Sequence, residues 1–285
     1  MPEGHTIHRL ALEYRERFGG RCVRVTSPQG KFSDGAALVD GRLLRATEAH
    51  GKHLFLGFTD PPAGPATTAP LPPEATAWVH IHLGLFGKQA FGADPAPPPT
   101  DTVRLRLRTD TAWADLRGPT TCALITDAEK TAVHTRLGPD PLRPDADPDR
   151  AWARISRSRT SVAALLLDQK VIAGVGNVYR AEVLFRHGID PHRAGRDLTR
   201  AEWDAVWADL CVLMRDGVRA NRIDTVRPEH TPEAMGRPPR VDDHGGEVYV
   251  YRRAGAACHL CGGAVAAAEL AARNLFWCPT CQPPR

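Results

Sequence analysis

The chain has 285 residues, of which 42% are hydrophobic and 25% charged, a composition typical of a globular protein with a sizeable core. No apolar run approaches the roughly 20 residues that a membrane helix needs, and Glu3, His5 and His8 occupy the place of an apolar signal core. We therefore expect a cytoplasmic or nucleoid-associated protein with no membrane partner. The net charge of +4 arises in residues 151–285, which makes nucleic acid a reasonable ligand.

The first half of the chain reads as one helix followed by short strands. Apolar residues at helical spacing predict an amphipathic helix over residues 4–18, ended by Gly19-Gly20. Alternating segments then predict strands at 21–25, 54–58, 78–82 and 103–108. The proline-rich stretches 61–73 and 94–100 predict exposed loops.

The second half reads as helical. Residues 138–149 contain four prolines and four aspartates, which favours a linker and a domain boundary. The pattern beyond predicts helices at 151–156, 161–167, 177–187 and 199–217, a long polar loop at 218–247 and short strands from Val248.

Four of the seven cysteines form two Cys-x2-Cys pairs. Cys258 and Cys261 are separated by sixteen residues from Cys278 and Cys281. Thiolates at this spacing form tetrahedral zinc sites, and four protein ligands leave no open position for catalysis. We predict one structural Zn²⁺; two disulfides are the alternative, which a reducing compartment disfavours.

Two segments that contain glycine are candidates for phosphate binding. Residues 171–179 run into the predicted helix at Asn177, where free N–H groups favour an anion. A glycine-rich corner between packed helices is the alternative. In His50-Gly51-Lys52-His53, one of only five lysines occupies a turn, either as a phosphate contact or proton carrier or as a solvated residue.

Several histidines fall close together in the predicted β domain. They are His50, His53, His80 and His82, the last two on one face of a strand. Because no carboxylate lies at a recognisable ligand spacing, we predict that they line a polar or phosphate-facing groove rather than bind a catalytic metal.

Pro2 and Glu3 are candidates for chemistry. Methionine is usually removed before proline, which leaves Pro2 with a free secondary amine beside a carboxylate. An unprotonated amine forms a Schiff base with an aldehyde sugar, and an α-amino group titrates at about 7.7–8.0. The alternative is an ordinary Met-Pro start.

These segments resemble the formamidopyrimidine-DNA glycosylase/endonuclease VIII family of base-excision repair enzymes. The likeness covers nearly the whole chain, and its motifs follow the family's order: Pro2-Glu3-Gly4, Gly51-Lys52, His82–Gly87, Asp115–Arg117, Leu137–Leu142, Gly174–Tyr179 and the cysteine hairpin that ends at Gln282. The start Pro-Glu-Gly is similar to the endonuclease VIII branch.

The resemblance implies roles for three catalytic residues. Pro2 would be the nucleophile at the sugar C1′ of a damaged nucleotide, and Glu3 would shuttle protons during ring opening and elimination. Lys52 would hold a phosphate beside the lesion and assist proton transfer. β- and δ-elimination would then cut the strand on both sides, without a nucleotide cofactor.

The resemblance also implies DNA contacts. Asn177 would bind a backbone phosphate at the helix–two-turn–helix, and Arg273 would do so at the tip of the zinc hairpin. Leu85, with Phe86, would fill the void left by a flipped base, where an apolar wedge replaces lost stacking. Arg117 would be the only void-filling arginine after Asp115.

The chain departs from the family pattern in places that bear on specificity. Thr6 stands where the family often has glutamate, which puts an ancillary acid in doubt. The run Leu116-Arg117-Gly118-Pro119 lacks the aromatic void-filler of the purine-directed branch. This favours oxidised pyrimidines or a single-stranded substrate over 8-oxoguanine, and the 218–247 loop offers no assignable base-capping residue.

We therefore predict a multidomain α+β protein: an N-terminal β-sandwich with a flanking helix, then a helical helix–two-turn–helix domain with a C-terminal zinc β-hairpin. The expected boundaries are 1–133 for the catalytic domain, 134–150 for the linker, 151–247 for the helical domain and 248–285 for the zinc finger. Damaged DNA, duplex or single-stranded, would run through a positively lined cleft between the domains.

The predicted function is a monomeric bifunctional DNA glycosylase/AP lyase acting on oxidised bases, with pyrimidines favoured. Three alternatives stay open. They are a non-catalytic zinc-finger protein that binds damaged DNA, a purine-directed glycosylase for 8-oxoguanine or formamidopyrimidine, and an AP lyase with little base release.

Overall fold

The computed structural model describes residues 2–61, 74–241 and 246–284, which divide into two compact units. The first unit contains Pro2 and residues 7–136, and the second contains residues 3–6 and the chain from Leu137 onward. Among the described residues, no helix is long and apolar enough to cross a membrane.

The first unit is built mainly from antiparallel strands. Its strands are β1 (Arg24–Thr26), β2 (Leu43–His50), β3 (His53–Thr59), β4 (Ala77–His82), β5 (Lys88–Ala93), β6 (Val103–Arg108), β7 (Ala112–Arg117) and β8 (Thr121–Ile125). One sheet has the order β1-β6-β7-β5, and the other has the order β2-β3-β4-β8. Helices α1 (Gly4–Phe18), α2 (Ser33–Val39) and α3 (Asp127–Arg136) accompany them.

Alternation along the strands explains why the two sheets form a sandwich. In β6, Leu105 and Leu107 are buried on one face, while the other face carries the three arginines of the strand, of which only Arg108 is exposed. They share one hydrophobic cluster with Leu54 and Leu56 of β3 and with Tyr14 of α1. The predicted N-terminal β-sandwich with a flanking helix is confirmed.

The second unit is helical and ends in a hairpin. Its elements are α4 (Pro148–Ile155), α5 (Val162–Leu167), α6 (Asn177–Arg186), α7 (Arg200–Ala220), α8 (Pro232–Met235), β9 (Ala266–Leu270) and β10 (Arg273–Trp277). Ser161 caps α5 through the N–H of Ala164, and Thr199 forms a capping box with Glu202 at the start of α7. The helical domain with its C-terminal hairpin is confirmed.

The structure differs from the predicted elements in several places. Gly138–Asp140, predicted as linker, are buried in the second unit, where the Gly138 N–H donates to Gln169 and the Pro139 carbonyl accepts from Ala173. The predicted 218–247 loop begins only after α7 and includes α8. Except for Pro61, the predicted 61–73 loop lies outside the described residues.

The sequence patterns missed helices α2, α3 and α8 and strands β2, β5, β7 and β8. These segments carry polar or small residues at half-buried positions, so their alternation is weak; β8, for example, is intermediate in burial at every position. Cross-strand pairing with neighbours, rather than local pattern, defines the strands.

Candidate active site

The side chain of Glu3 is completely buried at the start of α6. Its Oε2 accepts the N–H of Gly176 at 2.8 Å, and its Oε1 accepts the N–H of Val178 at 2.8 Å. Gly176 is the N-cap of α6 and has no capping side chain of its own. Glu3 therefore caps a helix 173 residues away in sequence, with its charge on the positive end of the helix dipole.

Glycines make this arrangement possible. A Cβ on Gly176 would lie 2.4 Å from Cδ of Glu3, and a Cβ on Gly4 would lie 2.8 Å from the Cα of Gly174. The Gly4 N–H also donates to the Gly174 carbonyl at 2.8 Å, and Gly174 has a φ of 89°, which favours glycine. The Pro-Glu-Gly start therefore packs directly against the Gly-Val-Gly turn.

The sequence predicted an anion at this helix start, and the anion in the structure is the Glu3 carboxylate. Asn177, the predicted phosphate ligand, is almost buried, and its Nδ2 donates to the Asn274 carbonyl at 2.9 Å. Its Oδ1 accepts from Nη2 of Arg180, which also donates to Asn274 at 3.0 Å. Asn177 and Arg180 therefore join α6 to the hairpin strand β10.

Arg180 is fully buried, and burial lowers its pKa to about 10, with the nearby charge of Arg273 acting in the same direction. Its Nε and Nη1 have no hydrogen-bond acceptor among the residues that the structure describes. A buried guanidinium with N–H groups that lack an acceptor destabilises the fold, so this position suits an additional anion.

Lys52 lies in the two-residue turn between β2 and β3, where His50 pairs with His53 and Gly51 has a φ of 58°. The cross-strand register places His53 opposite His82 and Phe55 opposite His80, so these side chains share one face of the sheet. His134 of α3 contacts His50 and Phe55 on that face. We call His50, His53, His80, His82 and His134 the histidine array.

Burial and neighbouring positive charge lower the pKa of three members of this array. The pKa of His53 is lowered to about 3 by burial and by the neighbouring charges of His82, His80, His50 and Arg136. The pKa of His80 is lowered to about 4 by burial, His82 and Arg136. That of His82 is lowered by burial and by the Lys52 ammonium, which shows that Lys52 lies within electrostatic reach of the array.

The predicted wedge residues lie in the turn between β4 and β5. Phe86 is 81% exposed and Leu85 is 51% exposed, which is unusual for apolar side chains of this size. Arg117 ends β7, and its Nη2 donates to Asp115 at 2.9 Å; Asp115 is buried and also binds Arg106 through both of its oxygens. Arg117 is therefore held by a carboxylate that is itself fixed.

The four cysteines come together at the base of the β9–β10 hairpin, with their sulfur atoms within 4.8 Å of one another. All are free thiols, and the Cys258–Cys281 and Cys261–Cys278 sulfur distances are 3.8 and 3.5 Å. Four thiolates at about 2.3 Å from a zinc ion would be about 3.8 Å apart, so the set fits zinc. Within the described part of the chain, no other group of His, Cys, Asp or Glu meets the same geometric test.

Arg273 is exposed at the first position of β10, next to the hairpin turn. Ala271 and Ala272 in that turn have φ values of 52° and 55°, a left-handed conformation that alanine seldom adopts. The tip that presents Arg273 is thus a tight, strained turn, at the opposite end of β10 from Cys278.

Comparison with known proteins agrees with this architecture. The model of the formamidopyrimidine-DNA glycosylase N-terminal domain matches residues 1–122, and that of the formamidopyrimidine-DNA glycosylase H2TH domain matches residues 137–227. The chain is 49% identical over 286 residues to Endonuclease 8 1 of Mycobacterium tuberculosis (strain ATCC 25618 / H37Rv), covering 99% of this chain and 100% of that protein.

The chain belongs to the formamidopyrimidine-DNA glycosylase family. It is 31% identical over 213 residues to the formamidopyrimidine-DNA glycosylase of Thermosynechococcus vestitus, covering 71% of this chain and 72% of the relative. The resemblance inferred from the sequence is thereby confirmed, and so is the enzyme class: the protein is a DNA glycosylase/AP lyase of base excision repair.

Solved structures of the family share this fold. A complex of wild-type Lactococcus lactis Fpg (MutM) with DNA containing an oxidised pyrimidine aligns with a TM-score of 0.74 at 19% identity, covering 99% of this chain and 100% of that chain. A complex of Lactococcus lactis Fpg with abasic-site DNA aligns with a TM-score of 0.75 at 19% identity and the same coverage.

One buried carboxylate that the sequence patterns did not single out, that of Glu182, holds the segment before the cysteines. Glu182 of α6 is fully buried and accepts the N–H groups of Tyr249, Val250 and Tyr251 at 2.6 to 2.9 Å, so it anchors the segment that leads to the cysteines. Its place five residues after Asn177 on a helix was visible, but its backbone partners lie about 70 positions on and carry no motif.

Proposed function

We propose that this family member is a bifunctional glycosylase/AP lyase that removes oxidised bases, pyrimidines in preference to purines, through a Schiff base on Pro2. The observation that carries the proposal is the placement of Glu3. Its buried carboxylate is held by two strong backbone hydrogen bonds one residue after the nucleophile, so a proton carrier is fixed beside the terminal amine.

The chemistry follows from a free secondary amine. The Pro2 nitrogen attacks C1′ and forms an N–C1′ bond as the bond from C1′ to the damaged base breaks. Ring opening then breaks the C1′–O4′ bond as a proton passes to O4′, and the resulting iminium acidifies the neighbouring C2′ proton. β-Elimination then breaks the C3′–O bond, δ-elimination breaks the C5′–O bond, and water finally releases the sugar from Pro2. Glu3 exchanges protons with the opening sugar ring.

The basic groups around Asn177 support phosphate binding near the hairpin. Arg273 lies close enough to lower the pKa of Arg180, and two Arg180 nitrogens lack an acceptor among the described residues. A DNA phosphate beside Asn177 and Arg273 would satisfy this concentration of positive charge. Lys52 is proposed as a second phosphate contact, in the first unit.

The exposed Phe86 and Leu85 support base flipping. Two large apolar side chains in a turn next to polar strand ends gain from filling the space that an extruded base leaves. The side chain of Arg117 is engaged by Asp115, and no aromatic residue follows it. This supports pyrimidine over purine lesions.

The cysteine set is proposed to hold one structural Zn²⁺. Four thiolates fill a tetrahedral shell and leave no site for substrate, so the ion would stabilise the hairpin and take no part in the reaction. His259 lies between two of the ligands, but its ring contacts Arg253 and is not needed for the shell.

The test is borohydride trapping on a panel of oxidised-pyrimidine, 8-oxoguanine and abasic sites, each in duplex and single-stranded DNA. We expect covalent trapping and strand cleavage with oxidised pyrimidines and abasic sites, and a sharp loss of both in Pro2→Gly. Trapping on abasic DNA alone would indicate a lyase with little base release, and preferential processing of 8-oxoguanine would overturn the lesion preference. Binding without any adduct would favour the non-catalytic alternative.

A further inference from the structure

The turn that carries Lys52 is held on both sides by imidazole rings. His50, before the turn, meets the His134 ring edge-on at 4.9 Å between centroids. His53, after the turn, lies 5.1 Å from the His80 ring and 4.9 Å from the His82 ring. The backbone on either side of Gly51-Lys52 is therefore tied to the sheet face and to α3 through the histidine array.

A hydrogen bond links two members of the array directly. Nδ1 of His53 and Nε2 of His80 are 2.9 Å apart, so one ring donates an N–H and the other accepts with a lone pair. If both imidazoles were protonated, both nitrogens would carry hydrogen and the bond could not exist. Phe55 stacks on His80 at 4.9 Å and 11°, which fixes the plane of the acceptor–donor pair.

The groups that face the array are mostly cationic. Lys52 approaches from the turn and Arg136 from α3, together with His134 of the array itself. Glu48 of β2 lies on the same face, but it binds Lys130 of α3 at 2.9 Å, and Lys130 also lies near Asp127. Such surroundings oppose protonation of the imidazoles.

We propose that the His53–His80 pair is a positioning device for Lys52, which fixes the direction in which the turn presents its ammonium group to a DNA phosphate. The pair contacts no substrate itself and acts through the turn and through His82. This inference rests on the proposed role of Lys52 in strand cleavage.

The positioning role has a consequence in acid. A second proton on the pair breaks the Nδ1···Nε2 bond and places a new positive charge within the cluster that contains Lys52. The turn then loses its tie to the sheet face and the ammonium is repelled. If the ring of His80 were replaced by a neutral group that does not titrate, acid would not break the hydrogen bond in this way.

Variants of His80 separate the hydrogen bond from bulk packing. His80→Gln places an amide near the position of Nε2, which keeps a neutral hydrogen-bonding group that does not titrate. His80→Leu keeps volume and removes the bond. His192→Gln, at a half-exposed histidine of the second unit, is the matched control.

The measurement is single-turnover cleavage of a preformed abasic duplex, in wild-type and Lys52→Met backgrounds. We expect His80→Leu to slow wild-type cleavage about tenfold but to add less than about twofold in Lys52→Met, since residues that act through one another are not additive. His80→Gln should stay within about twofold of wild type at neutral pH. An equal loss in both backgrounds would overturn the proposal.

The pH profile adds a readout that packing alone would not move. We expect the ratio of His80→Gln to wild-type cleavage rates to stay flat from pH 7 to 5 and to rise as the pH falls from 4.5 to 3, where both rings of the pair take up a proton, and the ratio for His192→Gln to stay flat throughout. A ratio for His80→Gln that stays flat down to pH 3 contradicts the proposal, and this comparison decides the matter if His80→Leu fails to fold.

Failure of this inference is distinguishable from failure of the proposed function. If wild-type enzyme is trapped by borohydride and cleaves abasic DNA, but His80 and Lys52 show no coupling, only the positioning role is wrong. If wild-type enzyme forms no adduct, the proposed function itself fails.

Discussion

Glu3 and Lys52 are held in place by different kinds of group. Backbone N–H groups of α6 bind Glu3, whereas imidazole rings of the β2–β3 sheet hold the turn of Lys52. Backbone amides do not titrate, so the groups that hold Glu3 remain hydrogen-bond donors at any pH at which the helix survives. The histidine array does titrate, so of the two sets of holding groups only the one around Lys52 can change its charge in acid.

Removing the charge of Glu3, the group held by backbone N–H groups, should reduce strand cleavage more than any other change outside Pro2. Glu3→Gln keeps the shape but cannot shuttle a proton, and it loses the charge that faces the helix dipole. We expect strand cleavage of abasic DNA to fall by about 10²- to 10⁴-fold, measured under single-turnover conditions. Glu13→Gln, which changes a partly buried ion pair of α1, is the control and should cleave normally. Equal activity of Glu3→Gln and wild type would remove Glu3 from the mechanism.

Loss of the metal should disturb the second unit and spare the histidine array. Asn177 and Arg180 bind the Asn274 carbonyl of the hairpin, so unfolding the cysteine set in Cys258→Ser frees both side chains. We expect affinity for abasic DNA to fall about tenfold or more and stoichiometric zinc to disappear from elemental analysis. Cys22→Ser, at a cysteine outside the set, should keep both. Wild-type affinity in metal-free protein would contradict this account.

A methyl group at Gly176 should displace the Glu3 carboxylate without removing it. The Cβ would lie 2.4 Å from Cδ of Glu3, so the carboxylate must move. We expect Gly176→Ala to slow cleavage roughly tenfold, because a small misplacement of a catalytic group is costly. The same change in a Glu3→Gln background should have little further effect on the rate. A tenfold loss in both backgrounds would mean that Gly176 acts independently of Glu3.

The histidine array should make the first unit sensitive to acid. The folded pKa of His53 is about 3 and the unfolded value is about 6.5, so the unfolded chain binds the extra proton between these values. The contribution of His53 to the free energy of unfolding is therefore fully present above pH 6.5. It falls as the pH falls, by about 2 kcal/mol between pH 6.5 and 5. Thermal unfolding against pH measures this, and His53→Asn should flatten the slope. A slope unchanged in His53→Asn would show that other groups cause it.

The sequence predicted much of the fold, because strong local patterns carry it. The alternation of Val103–Arg108, the helical spacing of residues 4–18 and the paired cysteines each correspond to an element of the structure. The family likeness also indicated Pro2, Glu3 and Lys52 as catalytic residues.

What the sequence could not predict depends on distant partners. The glycine turn before Asn177 suggested a phosphate, yet its N–H groups bind a carboxylate from the other end of the chain. The sequence showed four histidines of the array as nearby pairs. It did not predict α3, and so it did not predict that His134 contacts His50 and Phe55 on that face of the sheet. Long-range register and burial decided both.

The central claim is that the Pro2 nitrogen carries the sugar intermediate, and the most direct test is to locate the adduct. Wild-type protein is incubated with abasic-site DNA and borohydride, digested, and mapped by mass spectrometry. The account predicts that intact protein lacks Met1 and that the reduced sugar lies on the amino-terminal peptide, at the Pro2 nitrogen. An adduct on a lysine, or an efficient reaction of protein that retains Met1, would contradict it.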